Sequence, residues 1–209
     1  MRDLLQYHFA QLTEEQINKM LILHKLYSEW NDKINVISRK DISNFNIHHL
    51  LHSLSIARLI SFKKGSKILD IGTGGGFPGI PLAIMFPDVN FTLIDSIRKK
   101  TIVVEEVSKS LDINNVDVIW TRAEDLDDRF DFIVSRAVTA FPKFVSWTNG
   151  MIRKLNQNSL KNGILYLKGG DLDEELQDYV KKVTIYPLNN YFSESFFDKK
   201  KIVYLPLNN

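Results

Sequence analysis

The residues best suited to chemistry lie in one run, Asp70-Ile71-Gly72-Thr73-Gly74-Gly75-Gly76-Phe77-Pro78-Gly79, an acid and a glycine-dense turn directly behind the apolar Ile68 and Leu69. Glycines at 72, 74 and 76 let the backbone turn sharply and approach a ligand with no Cβ in the way, and Pro78 suits the first turn of a following helix. Such a turn holds a nucleotide-type cofactor, with the ligand expected at the helix N-terminus. Two cofactor classes fit the spacing. Gly74, Gly76 and Gly79 satisfy G-x-G-x-x-G, the dinucleotide fingerprint. Read from Asp70, the same residues spell D-x-G-x-G-x-G. Asp95 closes the next apolar run, Asn90 to Ile94, where a carboxylate accepts both ribose hydroxyls in either class.

These residues need a scaffold, and the pattern after Gly65 supplies one. Short apolar runs alternate with helical stretches: Lys67 to Ile71, Asn90 to Asp95, Val116 to Thr121, Phe130 to Ser135 and Gly163 to Lys168. Alternating strands and helices predict an α/β fold, a parallel sheet with helices on both faces. Val183 to Tyr186 and Ile202 to Leu205 flank Pro187-Leu188-Asn189-Asn190, so these last two strands pair antiparallel and bring the sheet to seven strands. The earlier residues are helical in pattern. Thr13-Glu14-Glu15-Gln16 has the form of a capping box, and Met20, Leu23, Tyr27 and Trp30 make an apolar stripe. A further helix is expected from about Ser43 to Ile60, so residues 1–62 form a helical cap on a cofactor-binding domain at 63–209.

Composition narrows the function. The chain has 209 residues, room for one core and a modest extension but not for the second domain that a dehydrogenase usually needs. A net charge of +2, from 27 basic and 25 acidic residues, makes any attraction to nucleic acid local. Cysteine is absent, which removes disulfides, thiolate metal sites and covalent attack by a thiol on a pyrimidine ring. No stretch is apolar enough to span a membrane and the start has no signal-peptide core, so a cytoplasmic protein is expected; a monomer is expected as well. His48 and His52 stand four apart, but no third ligand follows at a suitable spacing and no metal is expected.

Ligands of such sheets bind beyond the carboxyl ends of the strands. Candidates there are Gly72 and Phe77, Asp95, Ala123 and Glu124, Arg136, and Lys168. An adenine ring takes an apolar face from Phe77 and a polar edge from the Ala123-Glu124 backbone. Arg136 ends the apolar strand Phe132-Ile133-Val134 at the expected reactive end and is the catalytic candidate; its guanidinium suits a carboxylate, a phosphate or a base carbonyl. The alternative is a salt bridge to an acid between Glu124 and Asp131. The D-x-G-x-G-x-G spacing resembles that of S-adenosylmethionine-dependent methyltransferases, and measured against them Ser135-Arg136-Ala137, at the end of this strand, lacks the Asn/Asp-Pro-Pro-aromatic element with which many hold an exocyclic amine. A ring nitrogen such as guanine N7 fits better, because its in-plane lone pair needs no base.

The D-x-G-x-G-x-G register resembles motif I of S-adenosylmethionine-dependent methyltransferases, and the resemblance becomes specific along nearly the whole chain. Trp30-Asn31-Asp32-Lys33-Ile34-Asn35, His49 with Ser53-Leu54, the Asp70 turn continuing into Gly79-Ile80-Pro81-Leu82, Asp95-Ser96, Arg122-Ala123-Glu124, Ser135-Arg136-Ala137 and Leu167-Lys168-Gly169-Gly170 all match. Together they are similar to the bacterial 16S ribosomal RNA guanine-N7 methyltransferases, the glucose-inhibited division protein B family. The resemblance implies a class I methyltransferase with a Rossmann-like seven-stranded sheet and a helical N-terminal extension. It implies S-adenosylmethionine as cofactor, held by Asp70, Gly72, Gly74, Gly76, Phe77, Asp95, Ala123, Glu124 and Arg136. The implied partner is 16S ribosomal RNA, naked or in the small ribosomal particle. At 52 the chain has His where the family usually has Asp. Basic pairs and triplets at Arg39-Lys40, Lys63-Lys64, Arg98-Lys99-Lys100 and Lys199-Lys200-Lys201 are candidate RNA contacts. A methyltransferase acting on a small molecule or protein, and a noncatalytic RNA-binding factor, are the competing readings.

Overall fold

The computed structural model describes residues 1–207. In chain order its elements are α1 (Arg2–His8), α2 (Glu14–Asn31), a helical run from Ile42 to Arg58 that contains α3 (His52–Leu54), β1 (Lys67–Ile71), α4 (Gly79–Met85), β2 (Asn90–Asp95), α5 (Arg98–Ser110), β3 (Val116–Trp120), β4 (Phe132–Arg136), α6 (Phe141–Trp147), β5 (Gly163–Gly169), α7 (Asp173–Leu176), β6 (Thr184–Pro187) and β7 (Lys200–Pro206). The strands form one sheet in the order β3-β2-β1-β4-β5-β7-β6. Neighbours from β3 to β5 run parallel, and β7 runs antiparallel to both β5 and β6. Successive strands leave β1 in opposite directions, so the crevice at this switch point opens beyond the ends of β1 and β4.

Side-chain alternation builds a core on each face of the sheet. Ile68, Phe132, Leu165, Leu167 and Ile202 pack on one side with Met20, Tyr27, Phe45, Leu82 and Val104. Leu69, Ile133, Ile164, Tyr166 and Val203 pack on the other with Phe141, Phe144 and Leu176. Residues before 63 thus share a core with α4 and α5. The capping box forms as its spacing predicts: Thr13 Oγ1 accepts from Gln16 N at 3.2 Å and Gln16 Oε1 from Thr13 N at 2.9 Å. The same Gln16 donates through Nε2 to the carbonyls of Ile84 and Met85, tying α2 to the end of α4.

Two expectations need revision. The segment expected as one helix from Ser43 to Ile60 winds as 3-10 over Ile42–Asn44, π over Phe45–Leu51, α over His52–Leu54 and 3-10 over Ser55–Arg58. Tertiary anchors on its sides, described below, override a uniform 3.6-residue repeat. Strand β4 begins at Phe132, because Phe130 instead bridges Ile152, and it includes Arg136, which pairs with Leu167.

Candidate active site

The sheet's carboxyl edge holds a cavity of about 470 Å³, within the size range of small-molecule sites. Gly72, Thr73, Gly74, Gly75 and Phe77 line it from the first turn, Asp95, Ser96, Ile97 and Lys100 from the second, Thr121 to Glu124 from the third and Arg136 to Val138 from the fourth. Val36 and Trp147 close its sides.

The turn is shaped by two carboxylates. Asp70 is fully buried beneath it, and its Oδ2 accepts from Thr73 Oγ1 at 2.7 Å and from Gly79 N at 2.9 Å. Burial pushes this carboxyl up to about 7, against the opposing pull of those two hydrogen bonds and of Arg136. Asp70 therefore does not line the cavity; it holds the turn from below. It also takes the N–H at the start of α4, so the ligand space lies over the turn and not at the N-terminus of that helix. Asp95 accepts from Gly74 N at 2.9 Å through Oδ2 and from Ile97 N at 2.8 Å through Oδ1. Each oxygen retains a lone pair for a ligand hydroxyl.

Gly72 and Gly74 have φ of +66° and +59°. A Cβ on Gly72 would lie 2.6 Å from Val138 Cγ2, whereas one on Gly74 would meet nothing nearer than 4.0 Å. The first glycine lets two loops pack together; the second leaves the cavity floor open to a ligand. Gly76 serves a third purpose. Its Cβ would strike Ile80 Cγ1 at 2.6 Å and Tyr27 Oη at 3.0 Å, so it packs the turn onto α2 and, like Asp70, does not line the cavity.

Phe77 lines the cavity but is only 3% exposed. Its ring lies 4.8 Å from Tyr27, 5.7 Å from Phe45 and 5.5 Å from His49, with the Arg136 guanidinium at 5.2 Å. Protein groups surround this ring, which leaves little of it for an adenine. Ile97 is 48% exposed beside Asp95 and opposite the Ala123-Glu124 corner, and it presents the apolar surface that Phe77 was expected to give. An isoleucine directly after Asp95-Ser96, past the carboxyl end of a strand, was the available sequence signal.

Arg136 makes no salt bridge with the acids between Glu124 and Asp131; Asp131 instead accepts from Lys67 N and Arg153. The guanidinium reaches across to the N-terminal segment. Nη1 donates to the His48 carbonyl and Nη2 to His49 Nδ1, each at 2.9 Å. Burial holds the group down to about 10 despite Asp70 and Asp41 nearby. Behind it, Ser135 Oγ donates to the Ile71 carbonyl, and Ala137 adopts a left-handed φ of +53° that turns Val138 back onto Gly72. Tyr166 Oη accepts from Val138 N and Thr139 N and fixes this corner. Lys168 pairs with Glu175 at 2.5 Å.

The family described as rRNA small subunit methyltransferase G matches residues 16–203. The chain belongs to that family. Among similar relatives, the ribosomal RNA small subunit methyltransferase G of Christiangramia forsetii is 56% identical over 98% of this chain and 97% of its own. That of Cytophaga hutchinsonii is 53% identical over 98% and 99%. Solved structures agree on the fold. The precorrin-6y C5,15-methyltransferase of Geobacter metallireducens aligns with a TM-score of 0.54 at 11% identity, over 84% of this chain and 92% of that one. A SAM dependent methyltransferase of Aquifex aeolicus gives 0.53 at 15% identity, over 73% and 88%.

This methyltransferase therefore has the class I fold, and the cofactor its sequence leads one to expect is S-adenosylmethionine. The cavity fits that group: an open glycine floor, a fixed carboxylate with free lone pairs and a cation that no acid among the described residues pairs with. The segment matching Trp30 to Asn35 also gains a purpose. Asn31 Oδ1 accepts from Val36 N and Ile37 N, and its Nδ2 donates to the Ile37 carbonyl, which presses Val36 against Gly75 at the cavity wall. Of the basic clusters, Arg98–Lys100, Lys199–Lys201 and Arg39-Lys40 lie at or beside the cavity's edge of the sheet. Lys63-Lys64 precedes β1 at the opposite edge, with Lys64 paired to Asp88. No helix among the described residues is long and apolar enough to cross a membrane.

Proposed function

We propose that the enzyme transfers the methyl group of S-adenosylmethionine to N7 of a guanine in 16S ribosomal RNA. One observation carries the choice of atom: among the described residues, no histidine lines the cavity and no carboxylate lines it at the reactive end. Asp41 is bound by two histidines, His49 by Arg136 and Asp41, and Glu175 by Lys168. The carboxylates lining the cavity, Asp95 and Glu124, lie at the ribose and adenine end. A nucleophile that must lose a proton has no acceptor here, whereas the N7 lone pair needs only alignment.

S-adenosylmethionine supplies an electrophilic methyl group on a sulfonium sulfur. Asp95 accepts its ribose hydroxyls, and Ile97 with the Ala123-Glu124 corner holds the adenine. Arg136, a half-buried cation with N–H groups to spare, takes the carboxylate of the amino-acid end. Asp95→Ala should weaken S-adenosylmethionine binding by about 1–3 kcal/mol in calorimetry, because buried hydroxyls lose their acceptor. Unchanged affinity would remove Asp95 from the site. A narrow major groove hides N7 in paired RNA, so the target is an opened or loop guanine.

The test is chemical. Borohydride and aniline break RNA at N7-methylguanosine, and primer extension locates the break. A single stop in 16S RNA should vanish in a deletion strain and return with the wild-type gene but not with Asp95→Ala. A stop that persists in the deletion strain would overturn the N7 assignment.

A further inference from the structure

The reactive end is set from outside the sheet, by a segment 87 and 88 residues away in sequence. Arginine only donates, so the 2.9 Å contact makes His49 Nδ1 an acceptor and places the ring proton on Nε2. That Nε2–H faces Asp41 Oδ2 at 2.8 Å, while Asp41 Oδ1 receives His48 Nδ1 at 2.6 Å. One carboxylate thus fixes two consecutive histidines. They sit in the π-wound stretch Phe45–Leu51, a rare winding that is frequent at functional sites.

We propose that His49 and Asp41 are positioning residues for methyl transfer: Asp41 locks His49 as the Nε2–H tautomer, and His49 Nδ1 with the His48 carbonyl holds the Arg136 guanidinium over Phe77 at the cavity wall. The inference rests on the reading of Arg136 as the partner of the cofactor's carboxylate. Two N–H groups of Arg136 are spent on the N-terminal segment, and the residue, which lines the cavity, has three more to offer a ligand. Without the histidine, the guanidinium loses its planar anchor and one of the contacts that fix its rotamer. Burial and the neighbouring Arg136 hold the His49 ring down to about 4, so it stays a neutral acceptor at cellular pH. Hydrogen bonds from His48, His49 and Asn44 outweigh partial burial and keep the Asp41 carboxyl below its ordinary range, so it remains the charged acceptor that the arrangement needs. Outer partners of this kind tune a group they never replace.

The first test needs no cofactor. In long-range proton–nitrogen spectra of histidine-labelled protein at pH 7, His49 should show the Nε2–H tautomer, and Asp41→Asn should let the Nδ1–H form appear. A wild-type Nδ1–H tautomer would overturn the proposal. The second is kinetic. His49→Leu should raise the KM for S-adenosylmethionine by about 10-fold or more with the KM for RNA unchanged. His49→Asn, which puts an amide oxygen near the place of Nδ1, should recover most of that loss. A wild-type KM in a folded His49→Leu enzyme overturns the positioning role. If Arg136→Ala also leaves that KM unchanged, the reading of Arg136 itself fails; if only His49→Leu is silent, Arg136 keeps its role and finds its place without help.

Discussion

Arg136→Ala should weaken S-adenosylmethionine binding by about 2–5 kcal/mol, the usual effect of removing one partner from a desolvated, hydrogen-bonded charge pair. Methyl transfer at subsaturating cofactor should fall in proportion. Arg136→Lys should not restore it. An ammonium keeps the charge but cannot reach the His48 carbonyl, His49 Nδ1 and a ligand carboxylate together in one plane, so a loss of about 10-fold or more should persist. Calorimetry of both variants, with circular dichroism to confirm folding, decides the matter. Wild-type affinity in Arg136→Ala would mean that the guanidinium only ties the N-terminal segment to the sheet.

The second large effect is on stability. Asp70 titrates near 3.8 in the unfolded chain and, because of burial, at about 7 in the folded one. Between those values the folded state holds a proton that the unfolded state has released, so raising the pH through this window removes stability. Below pH 4 the contribution is fully present; above pH 7 it is gone. Asp70→Asn cannot titrate, so the stability of wild type relative to this variant should fall by about 2–4 kcal/mol between pH 4 and pH 8. Urea unfolding at stepped pH measures it. A difference that stays flat would show that the charge at Asp70 is matched in the folded state, with Oδ1, which has no hydrogen-bond partner, supplied from elsewhere.

What the sequence revealed follows from the range of the interactions involved. Strand β1, its glycine turn and Asp95 are local: alternation, glycines that need positive φ and an acid closing a strand are written in adjacent residues. The antiparallel pairing of β6 with β7 was equally legible from the turn between them. The roles inside the turn were not. Asp70 and Gly76 sit in the same motif as Gly72 and Gly74 yet lie outside the cavity, and Phe77 lines it with a ring largely covered by Tyr27 and Phe45, which only the packing decides. Asp41 and His48 carried no motif of their own, and their value lies in reaching a residue in a distant strand. The departure from the family's usual Asp at 52 reads differently in three dimensions. His52 is buried between Phe196 and Phe197, and burial and nearby Arg136 and Lys200 hold its ring well below the ordinary range. A neutral ring suits that aromatic setting better than a carboxylate would.

Strand β7 comes after β6 in the chain but lies between β6 and β5, and β6 has no other neighbour in the sheet. Thr184–Pro187 therefore has nothing to dock on until Lys200–Pro206 has been made and placed. The two strands are close in sequence, so the loop between them closes at little entropic loss, and they can zip together before either finds β5. Assembly of this side of the sheet is then a single docking of a finished hairpin, with one strand's arrival conditional on the other's. A lesion that unseats β7 strips two strands from the sheet and exposes the unpaired backbone edge of β5 to other chains.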